Sequence, residues 1–170
     1  KLIVFPELCI TGYTCGDLFL QKILLDSAKD SLIKIAKATE NLDITAVVGL
    51  PYVAEQTLYN CAAVVNGGHI KGLVPKLNIP NYAEFYEVRH FTAGKNEVTY
   101  VNINGEEIPF GANILFKTDA CEDFVLAVEI CEDLWTAMPP SVNHALAGAT
   151  IIANLSASNE VIAKDEYREI

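Results

Sequence analysis

Three reactive side chains each stand at the end of an apolar run: Glu7 after "LIVFP", Lys76 after "GLVP" and Cys131 after "AVEI". In folds that interleave strands and helices, strand ends are where chemistry is carried. A thiol that attacks a carboxamide must lose its proton, and Glu7 offers a general base for that step. The tetrahedral intermediate then bears an oxyanion. The Lys76 ammonium and the backbone N–H just after the nucleophile are suited to neutralise it. Each residue also has an ordinary reading. A lone cysteine is more often a small buried hydrophobe, a glutamate after proline can simply cap a loop, and a strand-end lysine can be a solvated charge. By spacing alone both readings of the trio stand.

Cys131 carries a difficulty of its own. In "VEICEDLW" it is flanked by Glu129, Glu132 and Asp133, and nearby carboxylates raise a thiol's pKa. A nucleophilic role therefore requires help from elsewhere in the chain. A Lys76 ammonium beside the sulfur would oppose the carboxylates. Glu129 and Asp133 are expected to point away or be paired.

The elements that must position these groups are legible in outline. "LIVF" is a continuous apolar run stopped by Pro6, as a buried strand would be. Asp17 is placed to cap a helix over roughly residues 18–39, with Leu25, Ala28, Leu32, Ile35 and Ala36 on one face. "ITAVVGLP" reads as a second buried strand. "YNCAAVVNGGHIKGLVPK" reads as a hairpin turning at Asn66-Gly67-Gly68, and "VTYVNINGEEIPFG" as another turning at Asn104-Gly105. Between them lies a loop, Leu77 to Asn96, too long and too aromatic to be a mere connector. "FVLAVEI" delivers Cys131 at its C-terminal end, "PPSVNHALAGA" is a short helix, "TIIANLS" is one more buried strand, and the remainder looks like the start of a helix. This interleaving predicts an α/β fold of sheets with helices on their outer faces. The chain opens inside a strand-like run and ends inside a helix-like one, so it reads as a piece of a longer protein, incomplete at both ends.

Composition narrows the partners. At 51% hydrophobic and 20% charged, the 170 residues read as one globular domain. A net charge of -10 argues against nucleic acid or an anionic membrane as a main partner. No apolar run approaches the roughly 18 residues of a membrane span, and no signal peptide is visible. Cys9, Cys15, Cys61, Cys121 and Cys131 are odd in number and form no CxxC pair, as expected of reduced thiols in a cytoplasmic protein. His69, His90 and His144 do not cluster with them, so no zinc set is indicated. Neither a GxxxxGK[ST] loop nor a GxGxxG turn occurs, so neither ATP nor NAD has a recognisable site.

In this order, "FPELCITGYTCGDLF", "PKLNIPNYAEFYEVRHF" and "VEICEDLW" resemble the three signature blocks of the nitrilase, or carbon-nitrogen hydrolase, superfamily. Its members are amidases with a Glu-Lys-Cys triad on an αββα sandwich. "YAEFYEVRHF", "VEICEDLW" and "NLSASNEVIAK" are similar, more closely, to the glutaminase domains of glutamine-dependent NAD synthetases. The likeness covers nearly the whole chain. It implies Glu7 as general base, Lys76 as oxyanion-stabilising lysine and Cys131 as the nucleophile that forms a γ-glutamyl thioester. It implies Glu84 as the second glutamate supporting the triad, close to Lys76. It places Tyr13, Tyr82, Phe85, Glu132, Trp135, Ser158 and Lys164 around an L-glutamine pocket. Those residue types suit glutamine: Glu132 can meet its ammonium, Lys164 and Ser158 its carboxylate, and the aromatics its methylenes. At Lys164 the resembled family often has arginine; lysine keeps the charge but loses the bidentate fork.

The resemblance further implies no cofactor in these 170 residues. ATP and magnesium are expected in a C-terminal synthetase domain that receives ammonia and amidates deamido-NAD, within a homo-oligomeric parent. Three other readings compete: a stand-alone amidase acting on another small amide or nitrile, a papain-like Cys-His enzyme using His144 or His90, and a non-catalytic nitrilase-like binding module.

Overall fold

A computed structural model of the chain describes residues 1–168. In chain order the elements are β1 (Leu2–Val4), α1 (Lys22–Ala38), β2 (Thr45–Ala54), β3 (Thr57–Asn66), β4 (His69–Pro75), β5 (Asn81–Tyr82), β6 (Phe85–Tyr86), β7 (Thr99–Ile103), β8 (Glu106–Phe110), β9 (Phe116–Thr118), β10 (Cys121–Ile130), α2 (Pro140–Leu146), β11 (Ile151–Leu155) and α3 (Lys164–Arg168). The strands form a six-stranded sheet in the order β1-β2-β3-β4-β8-β7, a three-stranded sheet β11-β10-β9, and the small hairpin β5-β6. β1 runs parallel to β2 and β10 parallel to β11, while β2-β3-β4 form an antiparallel meander.

Alternation along the central strands explains the layering. Ala46, Val48 and Leu50 of β2 and Ala63 and Val65 of β3 point to one face, where Leu32 and Ala36 of α1 pack on them. Val47, Ala62, Val64 and Val74 point to the other face, against Leu126, Val128, Ile130, Ala153 and Leu155 of the small sheet. Both faces of the central strands are covered, so their sequences read as unbroken apolar runs rather than alternating ones. α2 covers the outer side of β10, where the Ser141 N–H donates to Glu129 Oε2 at 3.0 Å. The order of layers is helix, sheet, sheet, helix, the αββα arrangement expected from the sequence. Leu32 is fully buried; truncating such a residue to alanine costs about 2–5 kcal/mol.

Both predicted hairpin turns form. Asn66 pairs with His69 across Gly67-Gly68, and Ile103 with Glu106 across Asn104-Gly105; all four turn residues have positive φ. Three local expectations are corrected. The helix begins at Lys22 rather than near residue 18, because Gly16–Leu20 form a separate 3-10 turn. Asp17 does not cap it: its carboxylate is taken by Arg89, through Nε at 2.7 Å and Nη2 at 2.8 Å. The first strand is not buried: Ile3, Val4 and Phe5 are 39%, 39% and 40% exposed, since β1 is the sheet's edge. Among the described residues no helix is long and apolar enough to cross a membrane.

Candidate active site

The three residues singled out in the sequence come from separate strand ends. Glu7 follows β1 in a loop that crosses β2 at Gly49. A Cβ on Gly49 would lie 2.3 Å from Leu8 N and 2.7 Å from Pro6 O, so only glycine admits the loop at this height. Lys76 follows β4, its N–H donating to the Asn60 carbonyl at 2.8 Å. Cys131 follows β10 and opens a 3-10 turn running to Trp135; its φ of 45° lies in the left-handed region. Non-glycine residues seldom adopt that region, and such turns cluster at functional sites.

Around Lys76 the side chains form a buried ionic cluster. Its ammonium donates to Glu7 Oε1 at 2.7 Å and to Glu87 Oε1 and Oε2 at 2.8 and 2.9 Å. All three residues are at most 6% exposed. Burial alone would depress the lysine's pKa, but the two carboxylates hold it above its ordinary value. Tyr13 Oη donates to Glu87 Oε1 at 2.7 Å. Burial, then that hydrogen bond, pushes its phenol well above the usual range.

The second glutamate on Lys76 is therefore Glu87, not Glu84. The tight β5-β6 turn puts Glu84 at its exposed tip, next to Ala83 at φ 49°. There its carboxylate accepts from Asn159 Nδ2, and Asn159 Oδ1 in turn accepts from Lys164 Nζ. Glu87, three residues on, returns to the interior.

The sulfur of Cys131 accepts a hydrogen bond from Ser156 Oγ at 3.3 Å. Burial raises the thiol's pKa first and the Glu7 carboxylate adds to it, while Ser156, Lys76 and the Ala157 N–H pull the other way. The Ala157 N–H also donates to Glu7 Oε2 at 3.1 Å. The amide that lowers the thiol's pKa is thus bonded to the glutamate oxygen that Lys76 does not use.

The acidic neighbours of Cys131 are engaged elsewhere, as expected. Glu129 accepts from Ser141 N and from Asn154 Nδ2. Asp133 accepts from Leu77 N, Asn78 N, Asn78 Nδ2 and Ile130 N, tying the segment after Lys76 to the segment around Cys131. Burial raises its pKa against these hydrogen bonds. Glu132 Oε2 accepts from Tyr82 Oη at 2.8 Å, which pushes that phenol up to about 12.

A cavity of about 320 Å³ backs onto this cluster, walled in part by Tyr13, Phe85, Glu87, Ala157 and Asn159. Of the predicted substrate residues, Tyr13 and Phe85 line it. Tyr82 packs edge-on against Phe85, with ring centroids 5.7 Å apart. Ser158 Oγ lies 3.0 Å from Ser156 Oγ, one step from the sulfur. Trp135 is 45% exposed at the end of the Cys131 turn. Lys164 sits on Asn159 at the cavity rim. The histidines of the papain-like reading are occupied: His144 Nε2 meets the Ala112 carbonyl at 3.1 Å and His90 Nε2 meets Asp17 at 3.1 Å. Asn60, Glu87 and Ser156 were not singled out by sequence reasoning. A polar residue inside the buried run "YNCAAVV" was the available signal for Asn60.

A family model for carbon-nitrogen hydrolases matches residues 1–166. The chain belongs to that family. This carbon-nitrogen hydrolase is 43% identical over 169 residues to the glutamine-dependent NAD(+) synthetase of Mycobacterium tuberculosis, covering 99% of this chain and 25% of that one. Its structure matches the crystal structure of a glutamine-dependent NAD(+) synthetase from Cytophaga hutchinsonii with a TM-score of 0.87 at 35% identity, covering 99% of this chain and 27% of that one. A carbon-nitrogen hydrolase from Helicobacter pylori shares the fold, with a TM-score of 0.67 at 20% identity over 99% of this chain and 54% of its own. The chain spans about a quarter of the length of the NAD synthetases it matches.

Proposed function

We propose that this domain hydrolyses the side-chain amide of L-glutamine through a thioester on Cys131 and supplies the ammonia to a synthetase domain. That partner would use ATP and magnesium to amidate deamido-NAD to NAD. The observation that carries the reading is the buried Glu7–Lys76–Glu87 cluster beside a hydrogen-bonded cysteine. The names of its relatives support glutamine as the amide.

Glu7 has one oxygen on Lys76 and the other on the Ala157 N–H. As the sulfur attacks the amide carbon, Glu7 Oε2 takes the thiol proton. Lys76 and the N–H of Glu132 stabilise the oxyanion. Collapse breaks the C–N bond, Glu7 returns its proton to the nitrogen, and ammonia leaves. Water, deprotonated by Glu7, then cleaves the thioester to glutamate and free thiol. Glu132, held by Tyr82, faces the substrate ammonium, while Lys164 and Ser158 meet its carboxylate. ATP and magnesium belong to the partner, and no step here runs through them.

The test is mass-spectrometric mapping of cysteine adducts on the full-length protein. A glutamine-shaped chloroketone should label Cys131 fast, because binding places its reactive carbon beside the sulfur, and glutamine should protect it. Iodoacetamide should label Cys131 slowly at neutral pH. With the thiol's pKa raised above 9.0, that rate should still be rising at pH 9. Equal labelling of several cysteines, or no protection by glutamine, would refute the reading.

A further inference from the structure

We infer that Asn60 is a positioning residue for this reaction: its side-chain amide holds Glu7 and Glu87 on Lys76 so that the second oxygen of Glu7 stays with Cys131. The inference rests on the amidase reading above. Asn60 lies on β3 and is 1% exposed. Its Nδ2 donates to Glu7 Oε1 at 2.7 Å and to Glu87 Oε2 at 3.4 Å, and its backbone carbonyl accepts the Lys76 N–H at 2.8 Å. It thus touches all three charged members of the cluster.

The cluster needs such a holder. Two carboxylates converge on one ammonium, so one negative charge is in excess in a buried site. The two hydrogens of Nδ2, one toward each carboxylate, offset that excess without adding an ion. Asn60 Oδ1 is buried and has no hydrogen-bond partner among the described residues. An orphan buried acceptor is costly. Turning the amide over would set Oδ1 against two carboxylates, so the carboxylates dictate its orientation. Glu7 Oε1 then carries both Lys76 and Asn60, while Oε2 accepts from the Ala157 N–H, the amide that also lowers the thiol's pKa. The division of labour between the two oxygens follows from Asn60.

Asn60→Leu keeps most of the volume and removes both the donors and the orphan acceptor. In the full-length protein we expect it to fold and to lower kcat for glutamine hydrolysis by about 10- to 100-fold, the usual effect of a small misplacement of a catalytic group. KM should stay within about threefold, because Asn60 is remote from the substrate's charged ends. A crystal structure of the variant should show Glu7 Oε1 displaced from Lys76 Nζ. A folded Leu variant with kcat within about threefold of wild type, or with Glu7 and Glu87 still on Lys76, overturns the inference. If the Leu variant does not fold, Asn60→Ala, which also lacks the donors and adds no charge, must show a loss of at least about tenfold in kcat. If neither folds, Asn60 serves folding and the inference fails. A wild-type protein inactive on glutamine refutes the substrate reading instead, and the position of Glu7 in the Leu variant still decides the role of Asn60.

Discussion

Two sets of carboxylates surround Cys131, and they are held in different ways. Glu129 and Asp133, its neighbours in sequence, are satisfied by backbone N–H groups and asparagine amides. Glu7 and Glu87, remote in sequence, are held by the Lys76 ammonium, the Asn60 amide and a phenol. Amide donors fix a carboxylate in place and leave it nothing to exchange, so Glu129 and Asp133 act as scaffold. An ammonium shared by two carboxylates can redirect a donor toward new negative charge, so Glu7, Glu87 and Lys76 are the reactive set of the proposed mechanism. Proximity in sequence to the nucleophile was therefore a poor guide to which acids act on it.

The contrast can be broken most forcefully at the sulfur. Cys131→Ala in the full-length protein should lower glutamine-driven synthesis by at least about 10⁴-fold. Synthesis from added ammonia should survive; loss of both activities in a folded protein would break the proposed division between domains. Lys76→Ala comes next, with a loss of about 100- to 1,000-fold in glutaminase rate. It should also lose about 3–5 kcal/mol of stability in denaturant titrations, because it leaves two buried carboxylates unpaired. The pH dependence has a definite sign. The folded pKa of Lys76 is raised above 10.5, so its contribution is whole below pH 10.5 and is lost as pH rises through the folded value.

Smaller effects sharpen the other side of the comparison. Asp133→Asn should cost about 1–3 kcal/mol of stability by thermal melting, since buried donors lose their acceptor. Its glutaminase rate should fall less than about tenfold. A loss as large as that of Lys76→Ala would place Asp133 in the reactive set. Tyr82→Phe, which frees Glu132, should raise KM for glutamine by about two- to tenfold with kcat unchanged, the worth of one hydrogen bond. A fall in kcat instead would mean that Glu132 acts on the reacting centre.

Strands and hairpin turns were legible because apolar runs and Asn-Gly or Gly-Gly pairs are local signals. So were the strand-end positions of Glu7, Lys76 and Cys131. Glu87 was not, because the choice between it and Glu84 depends on a two-residue turn inside a segment that reads only as a long loop. Asp17 stands where a helix cap would, but it is claimed by Arg89, 72 residues away. No local pattern reports a partner at that distance. The exposure of β1 depends likewise on its place at a sheet edge, which an apolar run does not reveal.

The hydrogen bond from the Ala157 N–H to Glu7 spans 150 residues of sequence. Contacts of such separation form late in folding, after local hairpins and helices. A chain emerging from the ribosome has made Glu7, Lys76 and Cys131 before it has made Ala157. Until the segment after β11 docks, Glu7, the proposed general base, lacks the backbone N–H that holds its second oxygen. In the proposed mechanism the thiol is therefore armed only after Ala157 has been made and the segment after β11 has docked on Glu7.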